Sequence, residues 1–406
     1  MNFTYFIAGR ITFKPNRTFS KLIVRIAIIG IMLGLGVMIL SLAVIKGFKQ
    51  EIREKIRGFD GDIKVVKYDL NSSYENTPFI KADTFVRAIK SNNLIAHLTP
   101  FATKPGIIKA HNGIEGVILK GVDNTYDWSF LKNNLVAGTV INFADTVESK
   151  RQIMISNITA NRLKLKLGDK LLMYFVQQPL KRRPFKVVGI FETSIEDIDK
   201  TYVVGDLSLI KRLNNWSPDE IGGYELRVAN FDELTPTAAF VNDNLPTRLK
   251  ATTVIENYPV IFEWLNLLNV NAKVMLILML IVAVINMISA LLIMILERTS
   301  MIGILKAMGA SNWRIQKIFL YNAAYLICLG LIFGNIFGLG LSWFQFKTHF
   351  FKLDATSYYM TFVPIQLNWA DVVLLNIGTM IICLLVLIVP SMLVSKISPV
   401  KAIRFK

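Results

Sequence analysis

Residues 274–311 read VMLILMLIVAVINMISALLIMILERTSMIGILKAMGAS. From Val274 to Leu296 no residue is charged. A helix needs about 20 apolar residues to cross a hydrocarbon core about 30 Å thick, and this run is long enough. Glu297 and Arg298 end it, and a short amphipathic segment follows in which Met301, Ile304, Leu305 and Met308 share one helical face. Gly309 is a helix stop and Ser311 a cap for the next helix. A second apolar run starts near Ile318. Span, short helix and span in this order read as a membrane protein.

Working outward, two more runs of the same kind appear, Ile26–Ile45 and Val372–Val394, beside the one from Ile318 to Leu341. The first lacks a small-residue cleavage site and is longer than a signal-peptide core, so it reads as an uncleaved anchor. The organisation read from the sequence is a cytosolic amphipathic segment 1–21, spans at 22–45, 271–296, 318–343 and 372–395, a large extracytoplasmic α+β domain at 46–270, a cytosolic loop at 297–317, a short outer loop at 344–371 and a cytosolic tail at 396–406.

Composition agrees with that plan. Of 406 residues 53% are hydrophobic and 18% charged, and 46 Lys+Arg stand against 29 Asp+Glu for a net charge of +17. A typical soluble domain holds about 25% charged residues. Residues 1–25 carry five cations (Arg10, Lys14, Arg17, Lys21 and Arg25) and no acid, while 297–317 and 396–406 are also basic. The 46–270 segment is close to neutral. The positive-inside rule therefore places both termini and the 297–317 loop in the cytosol, and the basic excess marks topology rather than nucleic acid. Lys46, Lys49, Arg53, Lys55 and Arg57 oppose this pattern, but Glu51 and Glu54 interleave with them at helical spacing, as on a solvated helix.

Within 46–270, strand patterns fall at Asp62–Tyr68, Ile107–Ala110, Gly116–Gly121, Gln152–Ile155, Lys170–Val176, Phe185–Phe191, Tyr202–Val204 and Tyr224–Val228. Helical patterns fall at Ser156–Leu165, Leu207–Leu213 and Phe231–Asn244, with Ser156 and Asp206 as N-caps. From about Pro259 to Leu280 one helix continues into the second span. In the spans, Gly30 and Gly34, and then Gly330, Gly334 and Gly338, fall four apart, a spacing that lets helices approach closely. Asn286, Ser289 and Asn335 call for partners inside the protein, and Pro390 predicts a kink. Cys328 and Cys383 lie in apolar runs, and His97, His111 and His349 are scattered without ligand spacing, so no metal site is assigned. No G-x-x-x-x-G-K-[ST] phosphate loop is present.

On physical grounds alone the 297–309 helix either lies on the lipid interface or docks into a partner. Its Glu297-Arg298-x-x-x-Ile302-Gly303-Ile304-Leu305-Lys306-Ala307-Met308-Gly309-Ala310 resembles the coupling helix of mechanotransmission-type ABC transporter membrane subunits, the superfamily of the LolC/LolE lipoprotein-releasing permeases, MacB and FtsX. Ser398-Pro399-Val400-Lys401-Ala402-Ile403-Arg404 resembles the closing motif of the same families. Phe6-Ile7-Ala8-x-Arg10, Ile29-Gly30-Ile31-x-Leu33-Gly34, Gly47-Phe48-x-x-Glu51-Ile52, Leu167-Gly168-Asp169-Lys170 and Val187-Val188-Gly189-Ile190-Phe191-Glu192 are similar to the lipoprotein-releasing permeases in particular.

The resemblance implies a permease subunit in a bacterial inner membrane, not itself an enzyme, working with a LolD-like ATPase dimer that holds the ATP and Mg, and with a second permease copy or paralogue. Its substrate would be a lipoprotein extracted from the outer leaflet and passed to a periplasmic carrier, with membrane lipids around it and no cofactor on this chain. Glu297, Arg298, Met301, Ile302, Gly303, Ile304, Leu305, Lys306, Met308 and Gly309 would dock the ATPase. Leu40, Val44, Phe48, Val270, Val274 and Leu278 would line a cavity for acyl chains. LolC-type subunits grip the carrier with a long hook, but here only Gln177–Pro184 occupies that place, as in the LolE type, leaving Lys181, Arg182 and Arg183 as carrier contacts. A MacB-like efflux permease and an FtsX-like signal transducer are the alternatives. The large outer domain and the missing ATPase weigh against them.

Overall fold

The computed structural model describes residues 18–69, 74–110, 113–354, 358 and 360–397. The segment before Thr18, His111 and the closing Ser398–Arg404 motif lie outside them. The described residues form two compact units, one of residues up to 49, 264–352 and from 362, the other of 50–263 and 353–361.

The main helices of the first unit are α1 (Thr18–Asp60) up to residue 49, α2 (Pro259–Glu297) from residue 264, α3 (Thr299–Ala307), α4 (Asn312–Thr348) and α5 (Trp369–Ser391). All but the short α3 are long and apolar enough to cross a membrane. α1, α2 and α4 extend past the spans read from the sequence, while α5 starts earlier and stops at Ser391, short of the expected 395. Ile336, Leu374 and Val389 are left largely exposed on them. Side chains like these in such number belong in lipid, since soluble proteins rarely show large contiguous apolar patches. Pro390 sits in the last turn of α5, which ends one residue later, so the expected kink is instead a stop, followed by a short helix, Leu393–Lys396.

The glycine rows are packing faces. A Cβ at Gly30 would strike the Asn286 side chain, and one at Gly34 would touch Ala283, so this pair seats α1 on α2. The row on α4 meets α1 even more closely. Gly330 faces Ile31, Gly334 faces Leu35, and Gly338 lies against the backbone of Gly36. Of the buried amides sought in the sequence, Asn335 finds a partner missed there. Asn335 Nδ2 donates to Asn376 Oδ1 (2.8 Å) and Asn376 Nδ2 donates back to Asn335 Oδ1 (3.0 Å), clasping α4 to α5. Asn286 reaches the Ile26 carbonyl at 3.5 Å, and Ser289 bonds within its own helix. At the other end of this unit the Gln366 N–H donates to the Ala43 carbonyl (3.0 Å), Lys46 pairs with Asp371 (2.5 Å), and Gly47 leaves room for the Pro364 carbonyl.

The second unit is α+β. Its strands are β1 (Ile63–Lys67), β2 (Phe79–Ile80), β3 (Ile95–Ala110), β4 (Gly113–Val122), β5 (Leu135–Gly138), β6 (Gln152–Ser156), β7 (Lys170–Phe175), β8 (Lys181–Phe191), β9 (Tyr202–Asp206), β10 (Glu220–Ile221), β11 (Gly223–Val228) and β12 (Leu249–Thr253). Ten of them form one sheet in the order β12-β1-β11-β3-β4-β9-β6-β8-β5, and β7 pairs with both β3 and β8. The strands β3, β4, β9, β6, β8 and β7 thereby close a ring. The long β3 serves both halves, pairing with β11 through its first part and with β7 through Ile107–Lys109. Ser156 caps the Thr159 N–H and Asp206 caps the Ser208 N–H, as their positions predict.

One sequence expectation is overturned here. The cations after the first span do not lie on a solvated helix. Ile52, Ile56 and Phe59 are buried, and so are Lys55 and Arg57. Arg57 forms a forked pair with Asp62, Nε to Oδ1 and Nη2 to Oδ2 at 2.8 Å each, and Nη1 reaches Glu54 at 2.8 Å. The helical charge spacing is real, and Glu54 does reach Arg57, but the forked partner, Asp62, lies just beyond the helix end, where helical periodicity does not reach.

Gly338→Ala should force α1 and α4 apart, because the added methyl meets backbone that cannot yield, at a cost of about 1–3 kcal/mol. Gly340→Ala, with open space around it, should be neutral or slightly stabilising. Thermal melting of the detergent-solubilised protein separates the two; equal melting temperatures would contradict the packing face.

Candidate functional site

The helix α3 has no side-chain cap at its N-terminus and is fixed at its C-terminus. Its C-terminus closes in a Schellman motif. The Gly309 N–H donates to the Lys306 carbonyl and the Ala310 N–H to the Leu305 carbonyl, 3.0 Å each, with Gly309 at φ +89°. Glu297 ends α2, and Arg298, half-buried, occupies the N-cap position of α3. Ser311 stands at the N-cap of α4, although its hydroxyl makes no capping bond.

The apolar residues of α3 do not share one face as the sequence predicts. Ile302, Gly303 and Leu305 are buried, and Ile302 and Leu305 belong to the core with Ile315, Ile318, Phe319 and Val394. Met301 packs half-buried against that core. Ile304 and Met308, one turn apart, stay 51% and 68% exposed. A short helix with apolar residues at 301, 302, 304, 305 and 308 carries two stripes, and only the fold decides which one turns inward. Trp313, on the first turn of α4, is also exposed, with the Lys317 ammonium 5.3 Å from its ring centroid.

Lys306 has a role that the sequence does not announce. Its ammonium donates to the Ser395 carbonyl (3.1 Å) and the Ile397 carbonyl (2.8 Å), capping the end of the short Leu393–Lys396 helix. A cation at a helix C-terminus is favoured by the orphan carbonyls and the dipole there. α3 is thus tied to the short helix that follows α5.

The six candidate cavity residues lie along adjoining helices. α1 and α2 run side by side through Gly30–Asn286, Gly34–Ala283, a Ser41 hydroxyl on the Met275 sulfur (3.0 Å) and Lys49 donating to Asn269 (3.0 Å). Leu40, Val44 and Phe48 on α1 are half-buried. Val270, Val274 and Leu278 on α2 form an i, i+4, i+8 row and are exposed. The residues of α2 that face α1 are Met275, Ala283 and Asn286, so the exposed row of Val270, Val274 and Leu278 lies on another face of that helix. Within one chain the six residues do not form an enclosed chamber.

The candidate carrier contacts are separated by strand geometry. Lys181, Arg182 and Arg183 open β8, where successive side chains alternate between faces. Lys181 turns in and caps the Leu213 carbonyl (2.7 Å), and Arg183 is half-buried, so only Arg182 is fully exposed. Register places Arg182 beside Tyr174, and Tyr174 beside Ile107. Next to this row, Pro184, Leu172 and Lys109 align in the same way. Arg182, Ile107, Pro184, Leu172 and Lys109 are all exposed, with Lys170 and Lys186 paired further along, giving a flat face of apolar residues among cations. The hairpin tip itself carries exposed Val176 and Leu180.

Comparison with known proteins gives a consistent picture. A family model described as the MacB-like periplasmic core domain matches residues 26–238, more than half of the chain. One described as the FtsX-like permease C-terminal matches 273–399. The lipoprotein-releasing system transmembrane protein LolE of Haemophilus influenzae is 23% identical, over 99% of each chain. LolC proteins of Xylella fastidiosa and Neisseria meningitidis are 21% and 22% identical, each over 97% of this chain and 96% of its own length. Among solved structures, the periplasmic region of MacB from Actinobacillus actinomycetemcomitans aligns with a TM-score of 0.35 at 15% identity, covering 52% of this chain and 98% of that one. The extracellular domain of the noncanonic ABC-type transporter YknZ from Gram-positive bacteria gives 0.33 at 16%, covering 47% and 99%.

Gly309→Ala tests how far the α3 stop matters. No atom obstructs the methyl, so the whole cost is conformational, about 1 kcal/mol. Amide hydrogen exchange at Gly309 and Ala310 should speed up about fivefold. Unchanged exchange would mean that the left-handed residue does not hold the helix end.

Proposed function

We propose that this chain, which belongs to the family of the MacB-like periplasmic core domain and is a permease of the LolC/LolE type, is the membrane subunit of an ATP-driven lipoprotein-releasing transporter. The observation that carries the coupling role is α3, with Ile304 and Met308 facing outward on a helix whose other stripe is locked into the core. Full burial of one such side chain is worth about 1.5–3 kcal/mol, so this pair is a suitable anchor for a partner subunit. ATP hydrolysis belongs to a separate, LolD-like ATPase dimer.

In this reading both termini and α3 face the cytosol, which the charge distribution supports, and the unit of 50–263 faces the periplasm of a bacterial inner membrane. Two permease chains, identical or paralogous, pair through the complex. ATP-driven closure of the ATPases displaces α3, and Lys306 passes that displacement to the short helix that follows α5. Leu40, Val44 and Phe48 on α1 and the exposed row of Val270, Val274 and Leu278 on α2 offer apolar surface to the acyl chains of a lipoprotein, which a second permease would close over. The basic and apolar face around Arg182 then offers a periplasmic carrier a docking place. Of the three cations, Arg182 is the one free to make that contact.

Ile304→Glu with Met308→Glu should leave membrane insertion unchanged, because both side chains are exposed, and should lower recovery of the ATPase by at least tenfold on affinity purification. Deletion of 297–309 should abolish it. Full ATPase recovery with the double variant would falsify the docking role. Purification in native lipids with mass spectrometry of bound molecules tests the substrate class: a triacylated lipoprotein is expected, and free phospholipid alone counts against extraction.

A further inference from the structure

α1 ends at Asp60, and α2 begins at Pro259. The residue just before Pro259, Tyr258, donates its hydroxyl to Asp60 Oδ2. The chain leaving α1 and the chain leading to α2 are also neighbouring strands. Ile63 on β1 faces Thr253 on β12, the Val254 N–H donates to the Asp62 carbonyl (2.8 Å), and a capping box between Thr253 and Glu256 starts the turn into Tyr258.

Asp60 is shared further. Lys64 of β1 lies 2.7 Å from Oδ2, and Lys120 of β4 lies 3.8 Å from Oδ1. Lys120, 1% exposed, also pairs with Glu225 of β11 at 2.8 Å, donates to the Phe59 carbonyl, and holds its ammonium 4.5 Å from the Phe59 ring centroid. Burial opposes ionisation of Asp60, yet Lys64 and Lys120 hold its carboxyl below the usual carboxylate range. Burial pushes Glu225 up despite Lys120. Burial and the adjacent Asp60 charge push the Tyr258 hydroxyl up, so it stays a donor.

This is a costly arrangement by stability alone. A carboxylate at a helix C-terminus opposes the helix dipole, and buried ion pairs are often no better than apolar packing of the same volume. What such a cluster supplies is directional geometry. One carboxylate group ties the last residue of one long helix to the residue preceding another, and both to the sheet.

We propose that Asp60, Tyr258 and Lys120 form a force-bearing joint that makes α1 and α2 displace the outer sheet as one piece, each acting as a positioning residue for the ATP-driven step. The proposal rests on the transporter reading above. Tyr258→Phe removes one oxygen and keeps the ring. Asp60→Asn keeps the shape and removes the charge. Ser149→Ala, which deletes a hydroxyl bond to the buried Asp206 carboxylate elsewhere in the domain, is the matched structural control.

Two readouts on the assembled permease–ATPase complex in lipid nanodiscs decide the matter. With a labelled triacylated lipoprotein, Tyr258→Phe and Asp60→Asn should hydrolyse ATP within twofold of wild type but release at least fivefold less lipoprotein per ATP, whereas Ser149→Ala keeps the wild-type ratio. Spin labels at Thr146→Cys, with Cys328 and Cys383 replaced by Ala, report ATP-driven domain movement without any lipoprotein. There the joint variants should lose at least half of the distance change. Wild-type amplitude in Tyr258→Phe, or equal losses in Ser149→Ala, overturns the joint. A wild-type complex that moves its labels but releases no lipoprotein overturns the transporter reading and leaves the joint to be judged on the amplitudes.

Discussion

A backbone inside hydrocarbon has no water to bond, so every amide there must be satisfied by the chain itself. The four long helices follow from that constraint, and so does the treatment of side chains on them. Asn335 and Asn376 satisfy each other, while Ser342 and Thr348 bond to carbonyls of their own helix. With little hydrophobic drive between helices in lipid, close packing must hold them together. That is why Gly330, Gly334 and Gly338 meet Ile31, Leu35 and Gly36 at near-backbone distance. α1 is central to this scheme. It seats α2 on one side and α4 on another, and its last turns bury Ile52, Ile56 and Phe59 in the second unit.

The two units solve the problem of charge in opposite ways. In the second unit, cations are drawn inward and matched, as Arg57 is with Asp62 and Lys120 with Glu225. Around α3 the cations serve the chain's own carbonyls, as Lys306 does, and what is offered outward is apolar: Ile304, Met308 and Trp313. The surface proposed to meet another subunit and the core of the second unit differ in which kind of side chain is left unmatched.

The sequence showed the spans, the caps at Ser156 and Asp206 and the inner part of most of the long strands, because each is written in local period or local chemistry. β5 and β12 escaped it, being short edge strands whose pairing, not composition, defines them. β3 was read only from Ile107, since the stretch Ile95–Gly106 contains Pro100 and Pro105 and alternates poorly. Asn376 was legible in principle, as a polar residue in an apolar run like Asn335. The inward turn of Ile302 and the carbonyl clasp of Lys306 were not, because each depends on a partner distant in sequence, and neither was the burial of Lys55 and Arg57, because helical spacing does not say what covers the helix.

The closed ring of β3, β4, β9, β6, β8 and β7 has one more effect. A sheet that closes on itself presents no open row of N–H and C=O groups. In the ten-stranded sheet this leaves β5 and β12, four and five residues long, as the outer strands. If two such domains are pressed together in each cycle, as the proposed transporter requires, these short outer strands offer little backbone with which to zip into a shared sheet. A contact made mainly of side chains can be broken at the end of every cycle.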